Sequence, residues 1–260
     1  MEKLGEWKKD LKSISFIAGE EINRFSDCDN IVSAVQKDVE KKGHLYVAKY
    51  PVGLPKLVED FGKHCIDKVV QDFDIQCKMN KQREGNAKTV GIFGMGGVGK
   101  TTLSKELFNG KRSDYSRSCF LFDVREASVK FSVPSLQVKL LTDIFDEKEK
   151  DHPRYPSVED GKSRLSDHIQ RSYNLSFLIV LDDIDHLDQL DDLLIKDMLD
   201  KSGNSLVIVT TRDVGILINA GVTVAYNLKG MDTDDAKELF SWHAFSQSYP
   251  SSGYEKLVDL

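Results

Sequence analysis

Three short apolar runs limit what this chain can become. "TVGIFGM" (89–95), "LSFLIVL" (175–181) and "SLVIVTT" (205–211) are continuous rather than alternating. A strand that is apolar on both sides must be covered on both sides, which marks a parallel sheet between helical layers. "SCFLFDV" (118–124) and "VTVAYNL" (222–228) read as further strands. Helical patterns lie between them: "TTLSKELFNG" (101–110), "SLQVKLLTDIF" (135–145), "DGKSRLSDHIQRSY" (160–173) and "LDQLDDLLIKDML" (187–199). Strands alternating with helices predict βαβ units. Right-handed crossovers then bring every strand out at one carboxyl edge, where α/β proteins place their ligands.

The segments outside this alternation read differently. Residues 1–45 predict two amphipathic helices, with Trp7, Leu11 and Ile14 on one face of the first and Ile31, Val32, Val35 and Val39 on the second. Pro51 and Pro55 break an extended stretch, and the apolar positions from Leu57 to Phe73 predict a third helix. Residues 78–88, "KMNKQREGNAK", are polar and aperiodic and read as a linker. A net charge of −6 argues against nonspecific nucleic-acid binding, which relies on cations that neutralise phosphates. No apolar run approaches the roughly 18 residues that a spanning helix needs, and "MEKLGEWKKDLK" lacks the apolar core of a secretory leader. Cys28, Cys65, Cys77 and Cys119 show no metal-ligand spacing and read as free thiols.

Each of the three apolar runs ends in groups that carry chemistry. Five glycines fall within residues 91–99, although the whole chain has 18. Gly94-Met95-Gly96-Gly97-Val98-Gly99-Lys100-Thr101 fits G-x-x-x-x-G-K-[ST], between a predicted strand and a predicted helix. The glycines let backbone N–H groups turn inward around phosphate oxygens, and the helix N-terminus adds its positive end. Lys100 is then a cation for the β- and γ-phosphates, and the Thr101 hydroxyl a candidate Mg²⁺ ligand. A glycine-rich turn with an incidental lysine is the plain alternative. The second run ends in Asp182 and Asp183, two adjacent carboxylates that repel unless a cation or donors compensate. Asp182 is a candidate metal residue, and Asp183 a candidate to orient or deprotonate a water. The plain alternative is a pair capping the next helix. The third run ends in Thr210, Thr211 and Arg212. Arg212 could sense a γ-phosphate through its planar fork, or simply pair with Asp213 or another nearby carboxylate.

Taken together, "GIFGMGGVGKTTL", "CFLFDVRE", "LIVLDDID", "VIVTTRD" and "YNLKGMDTDDAKELFSWHAF" resemble the NB-ARC nucleotide switch of plant intracellular immune receptors. The resemblance covers about residues 45–260. Asp185 in "LDDID" and the stretch "FLFDVRE" look more like the TIR-containing class, and residues 1–50 resemble the end of a TIR domain with its following linker. The resemblance implies a P-loop NTPase fold of α/β class, with a mainly parallel sheet, helices on both faces and short helical segments at both ends. It implies a helical linker over 1–50, a nucleotide-binding domain over 51–228, and the start of a helical ARC subdomain over 229–260. It further implies an ADP/ATP switch with Mg²⁺, acting in defence signalling through other immune-receptor proteins or self-association, in the cytoplasm or alternatively the nucleus. Carried over by position, Gly94, Gly96, Gly97, Val98, Gly99, Lys100, Thr101 and Thr102 would hold the phosphates. Thr101 and Asp182 would serve the metal, Asp183 hydrolysis, and Arg212 the γ-phosphate. Val52 and Gly53 match the segment near the adenine. Where that segment usually carries Arg, this chain has Leu57, with Lys56 one position earlier. The chain stops at "YEKLVDL", before the motifs of the family's later subdomains, as a fragment or a truncated product would. Two rival readings stay open: a nucleotide-binding interaction module without turnover, and a small P-loop phosphotransferase.

Overall fold

The computed structural model describes residues 44–66, 88–146, 157–171, 175–201 and 205–254. The expected helices of residues 1–43 and nearly all of the 78–88 linker lie outside them. The chain divides into two compact units, Met1–Leu45 and Tyr46–Leu260, and every element below belongs to the second.

The apolar runs become strands: β1 (Lys88–Phe93), β2 (Arg117–Leu121), β3 (Phe177–Ile184), β4 (Leu206–Thr211) and β5 (Val224–Asn227). They form one sheet in the order β2-β3-β4-β1-β5, and every neighbouring pair is parallel. β4 thus sits between β3 and β1. Ile92 pairs with Thr210, Phe93 with Thr211, and Ile184 also with Thr211, so the chemically distinctive ends of three strands finish side by side. The β3–β4 register shifts between Leu181 and Ile184. That irregularity bends the strand at Asp182 and Asp183 and re-aims their side chains, as bulges do.

The helices are α1 (Leu54–Phe61), α2 (Lys100–Lys111), α3 (Val124–Lys130), α4 (Val133–Phe145), α5 (Val158–Arg171), α6 (Asp188–Asp192), α7 (Ile195–Lys201), α8 (Val214–Asn219) and α9 (Thr233–Phe245). Pro55 does not break the chain. It occupies the first turn of α1, where its missing N–H costs nothing. A π-helical turn, Gly62–Ile66, follows α1. The expected single helix over 187–199 is instead two helices. Leu194 takes a left-handed backbone, φ 50°, between α6 and α7. The break lets Leu190, Leu193, Ile195 and Met198 all reach the same core, which one straight helix would not. The short helices α3 and α8 carry too few periodic residues to be read from sequence.

The main core lies between the sheet and α4, α5, α6 and α7. Leu140, Leu141, Ile144, Leu165, Ile179 and Leu181 are fully buried there. Gln137 fastens these helices: its Nε2 donates to the carbonyls of Val158 at 3.1 Å and Asp192 at 2.8 Å. Among the described residues, Cys65 and Cys119 are buried and are not joined in a disulfide. α8 closes on β1 at Gly91, where a larger residue would have to displace the Leu217 side chain. A Cβ at that position would lie 2.4 Å from Leu217 Cδ1 and 3.0 Å from its Cγ, and Leu217 is itself buried. Gly91→Ala is therefore expected to destabilise by about 1–3 kcal/mol through overpacking, read as a lower denaturation midpoint.

Candidate functional site

The glycine loop leaves β1 and enters α2 through Gly99, whose φ of 105° suits glycine and almost nothing else. That conformation starts α2 directly above the loop, so the helix's unpaired N–H groups face it. Lys100 is folded inward and only 7% exposed. Its ammonium donates to the carbonyls of Gly94 at 2.9 Å and Met95 at 2.8 Å. Burial pushes the Lys100 ammonium below its ordinary range and Arg212 adds to this, while Asp183 and Asp182 pull it back up. The group is a cation held inside the loop by two neutral carbonyl oxygens.

Asp182 is fully buried. The Thr101 hydroxyl donates to its carboxylate at 2.9 and 3.0 Å, and the Thr210 hydroxyl donates to Oδ1 at 2.7 Å. Burial raises the Asp182 carboxyl above the usual carboxylate range, and the two hydroxyls partly offset this. Thr210 works twice, because its oxygen also accepts the Asp183 N–H at 2.8 Å. Asp182 and Thr101 are hard oxygen donors meeting across two elements, a set that suits Mg²⁺. Among the described residues no cluster of three or more His, Cys, Asp or Glu side chains is placed to hold a metal ion. A cation bound here would therefore take few protein ligands, with phosphate and water completing its shell, as Mg²⁺ usually does with nucleotides.

Asp183 sits with φ 57°, a left-handed backbone uncommon outside glycine. Its carboxylate lies between two guanidinium groups, Arg125 Nη2 at 2.8 Å from Oδ2 and Arg212 Nε at 3.5 Å from Oδ1. Arg212 also covers the loop, since a Cβ at Gly96 would stand 3.3 Å from its Nη1. Neither acid caps the following helix: α6 starts at Asp188, and its N-cap is Leu187, with no side-chain cap. The carboxylate partner of Arg212 is Asp183, while Asp213 caps α8 by accepting the Gly215 N–H at 2.7 Å.

The structure thus brings Gly94, Gly96, Lys100, Thr101, Asp182, Asp183 and Arg212 into one site. Gly97 and Val98 complete the loop, and Thr102 follows in the first turn of α2. Val52 and Gly53 precede α1 and are placed by other contacts. Gly53 abuts Asp235 at the start of α9, where an added Cβ would be 2.6 Å from Oδ2. Tyr50 stacks on Trp242 of α9 with centroids 5.3 Å apart, and Lys56 pairs with Asp232 at 2.9 Å. α1 packs against α2, and Tyr226 of β5 donates to Asp60 at 2.6 Å. Sequence reasoning missed Arg125 and the bridging role of Thr210, although both stand in quoted stretches, "CFLFDVRE" and "VIVTTRD".

The family model of the NB-ARC domain matches residues 71–249. The chain belongs to the NB-ARC family. It is 37% identical over 173 residues to "Disease resistance protein RUN1" of Vitis rotundifolia, covering 66% of this chain and 12% of that protein. It is 35% identical over 177 residues to "TMV resistance protein N" of Nicotiana glutinosa, covering 65% of this chain and 14% of that protein. "Disease resistance-like protein DSC1" of Arabidopsis thaliana is 28% identical over 260 residues, 100% of this chain and 20% of that protein. The chain therefore spans 12 to 20% of the length of these relatives. This NB-ARC chain is a nucleotide-binding module of the disease-resistance class. Among the described residues no helix is long and apolar enough to cross a membrane.

Proposed function

We propose that this NB-ARC chain is an ADP/ATP-binding switch with at most slow Mg²⁺-dependent hydrolysis, serving defence signalling. The observation that carries the reading is the Thr101 hydroxyl against the buried Asp182 carboxylate, 81 residues apart in sequence, beside an inward-facing Lys100. That juxtaposition gives a cation for phosphate and hard oxygens for Mg²⁺ at one sheet edge. In this reading Gly94, Gly96, Gly97, Val98, Gly99 and Thr102 hold phosphate oxygens through the loop backbone and the helix start. Mg²⁺ bound at Thr101 and Asp182 would neutralise phosphate charge. Arg212 reaches the third phosphate, and Asp183 orients a water. Val52 and Gly53 form the base side, within a nucleotide domain over 51–228 followed by the start of a helical ARC subdomain over 229–260. Residues 1–50 serve as the linker. Partners in this reading are other immune-receptor proteins or further copies of the chain, in the cytoplasm.

Two substitutions separate the acids. Asp182→Ala is expected to weaken nucleotide binding in Mg²⁺ by about tenfold while barely changing it in EDTA, because a charge-assisted contact is worth roughly 1.5–3 kcal/mol. Asp183→Ala is expected to leave ADP affinity within about twofold and to slow phosphate release. Calorimetric titration with and without Mg²⁺, beside a phosphate-release assay, reads both. Equal effects of the two changes on both quantities would remove the division of labour.

One observation favours a second reading, nucleotide binding without turnover. Both Asp183 oxygens are engaged by arginines. Steady-state phosphate release no faster than buffer, at saturating Mg·ATP and with ADP binding intact, would select it.

A further inference from the structure

Arg125 stands outside the glycine loop and outside the residues assigned to nucleotide, yet it holds the same carboxylate as Arg212. Asp123, with φ 43°, turns the chain after β2, and α3 begins at once against β3. This places Arg125, the second residue of α3, 2.8 Å from Asp183 Oδ2. Arg212 contacts the opposite oxygen at the longer distance of 3.5 Å, with 55% of its side chain exposed. Asp183 itself is anchored through its N–H to Thr210. Two cations thus share one acid, a close one and a distant one. The distant one also lies over Gly96 of the loop.

We propose that Arg125 is a positioning residue that sets the preference for nucleoside triphosphate over diphosphate, by competing with Arg212 for Asp183. This rests on the reading of Arg212 as the contact to the third phosphate. To reach that phosphate, Arg212 must give up Asp183 Oδ1. Leaving is easier when the carboxylate keeps a second cation, and Arg125 supplies it. Without Arg125, Asp183 holds Arg212 alone and more strongly. Triphosphate affinity then falls, whereas a diphosphate, which makes no claim on Arg212, binds as before.

The test is calorimetric titration of the whole 260-residue chain with Mg·ADP and a Mg-bound non-hydrolysable ATP analogue. Arg125→Gln is expected to lower the triphosphate-to-diphosphate affinity ratio about threefold to tenfold, in the range of a partly exposed to charge-assisted ion pair, with ADP affinity within about twofold. Arg125→Lys, which keeps the charge, is expected to restore most of the ratio. Asp183→Asn releases Arg212 and is expected to raise the ratio about threefold or more. In that background, adding Arg125→Gln is expected to change nothing further. A general loss of positive charge would persist in the Asp183→Asn background, and a merely structural role would lower ADP affinity and the thermal midpoint together; either result would overturn the proposal. An unchanged ratio in Arg125→Gln, with Arg212→Gln still lowering it, would overturn the proposal and leave the reading of Arg212 standing. An unchanged ratio in Arg212→Gln would remove that reading and the proposal with it. If Arg125→Gln does not fold, the Asp183→Asn arm decides: no rise in the ratio overturns the proposal.

Discussion

Lys100→Ala is expected to reduce nucleotide affinity at least tenfold without weakening the fold. The ammonium turns back into the loop from the first residue of α2 and donates to two neutral carbonyls, which phosphate oxygens would replace in the proposed function. Loss of a charged hydrogen bond is worth roughly 1.5–3 kcal/mol, and each 1.4 kcal/mol is about tenfold in affinity. The folded chain itself gains little from this charge. Burial holds the ammonium below its ordinary range, so the charged form is disfavoured by folding rather than stabilised by it. The thermal midpoint of the variant should stay within about 4 °C of the parent, equivalent to roughly 1 kcal/mol for a domain of this size. Titration calorimetry beside thermal unfolding reads both. Parent-like affinity would show that the lysine is not a phosphate ligand, and a large fall in midpoint would make it a structural residue of the loop.

The opposite pattern is expected at Leu140. This side chain is fully buried on α4, which packs against β2 and α5. Truncation to alanine removes apolar contact and leaves a cavity in a core with no room to collapse, a loss of about 2–5 kcal/mol. At this chain length that lowers the thermal midpoint by roughly 5–15 °C. Leu140 takes no part in the loop, so ADP affinity measured below the transition should be unchanged. A loss under about 1 kcal/mol would mean that α4 does not seal this face of the sheet.

The strands were legible because burial on both faces forces an unbroken apolar run, a pattern that survives without any knowledge of tertiary contacts. The loop and the two acids stood out for a related reason: they are short, distinctive groupings of residue types, and the structure brings them together at one sheet edge. What stayed hidden depends on the fold itself. The break at Leu194 is not marked by Gly or Pro. It exists because α6 and α7 must approach one core from different directions. Arg125 and Asp183 are 58 positions apart by their numbers, and only the adjacency of β2 and β3 brings them together. Thr210 looked like the end of a strand. Its double role follows from the register shift in β3, which swings Asp182 and the Asp183 N–H toward the same hydroxyl. Gly91 read as one more glycine of the loop cluster, whereas its neighbour is Leu217 of α8.

In the proposed function, the carboxyl edge of this sheet is a nucleotide site whose metal side is Thr101 and Asp182. It is tested most directly by titrating the parent chain with ADP in Mg²⁺ and again in EDTA. Saturable binding at one site per chain is expected, tighter in Mg²⁺, with that metal dependence lost in Asp182→Ala. No saturable binding, or binding equally tight in both conditions in the parent chain, would contradict it.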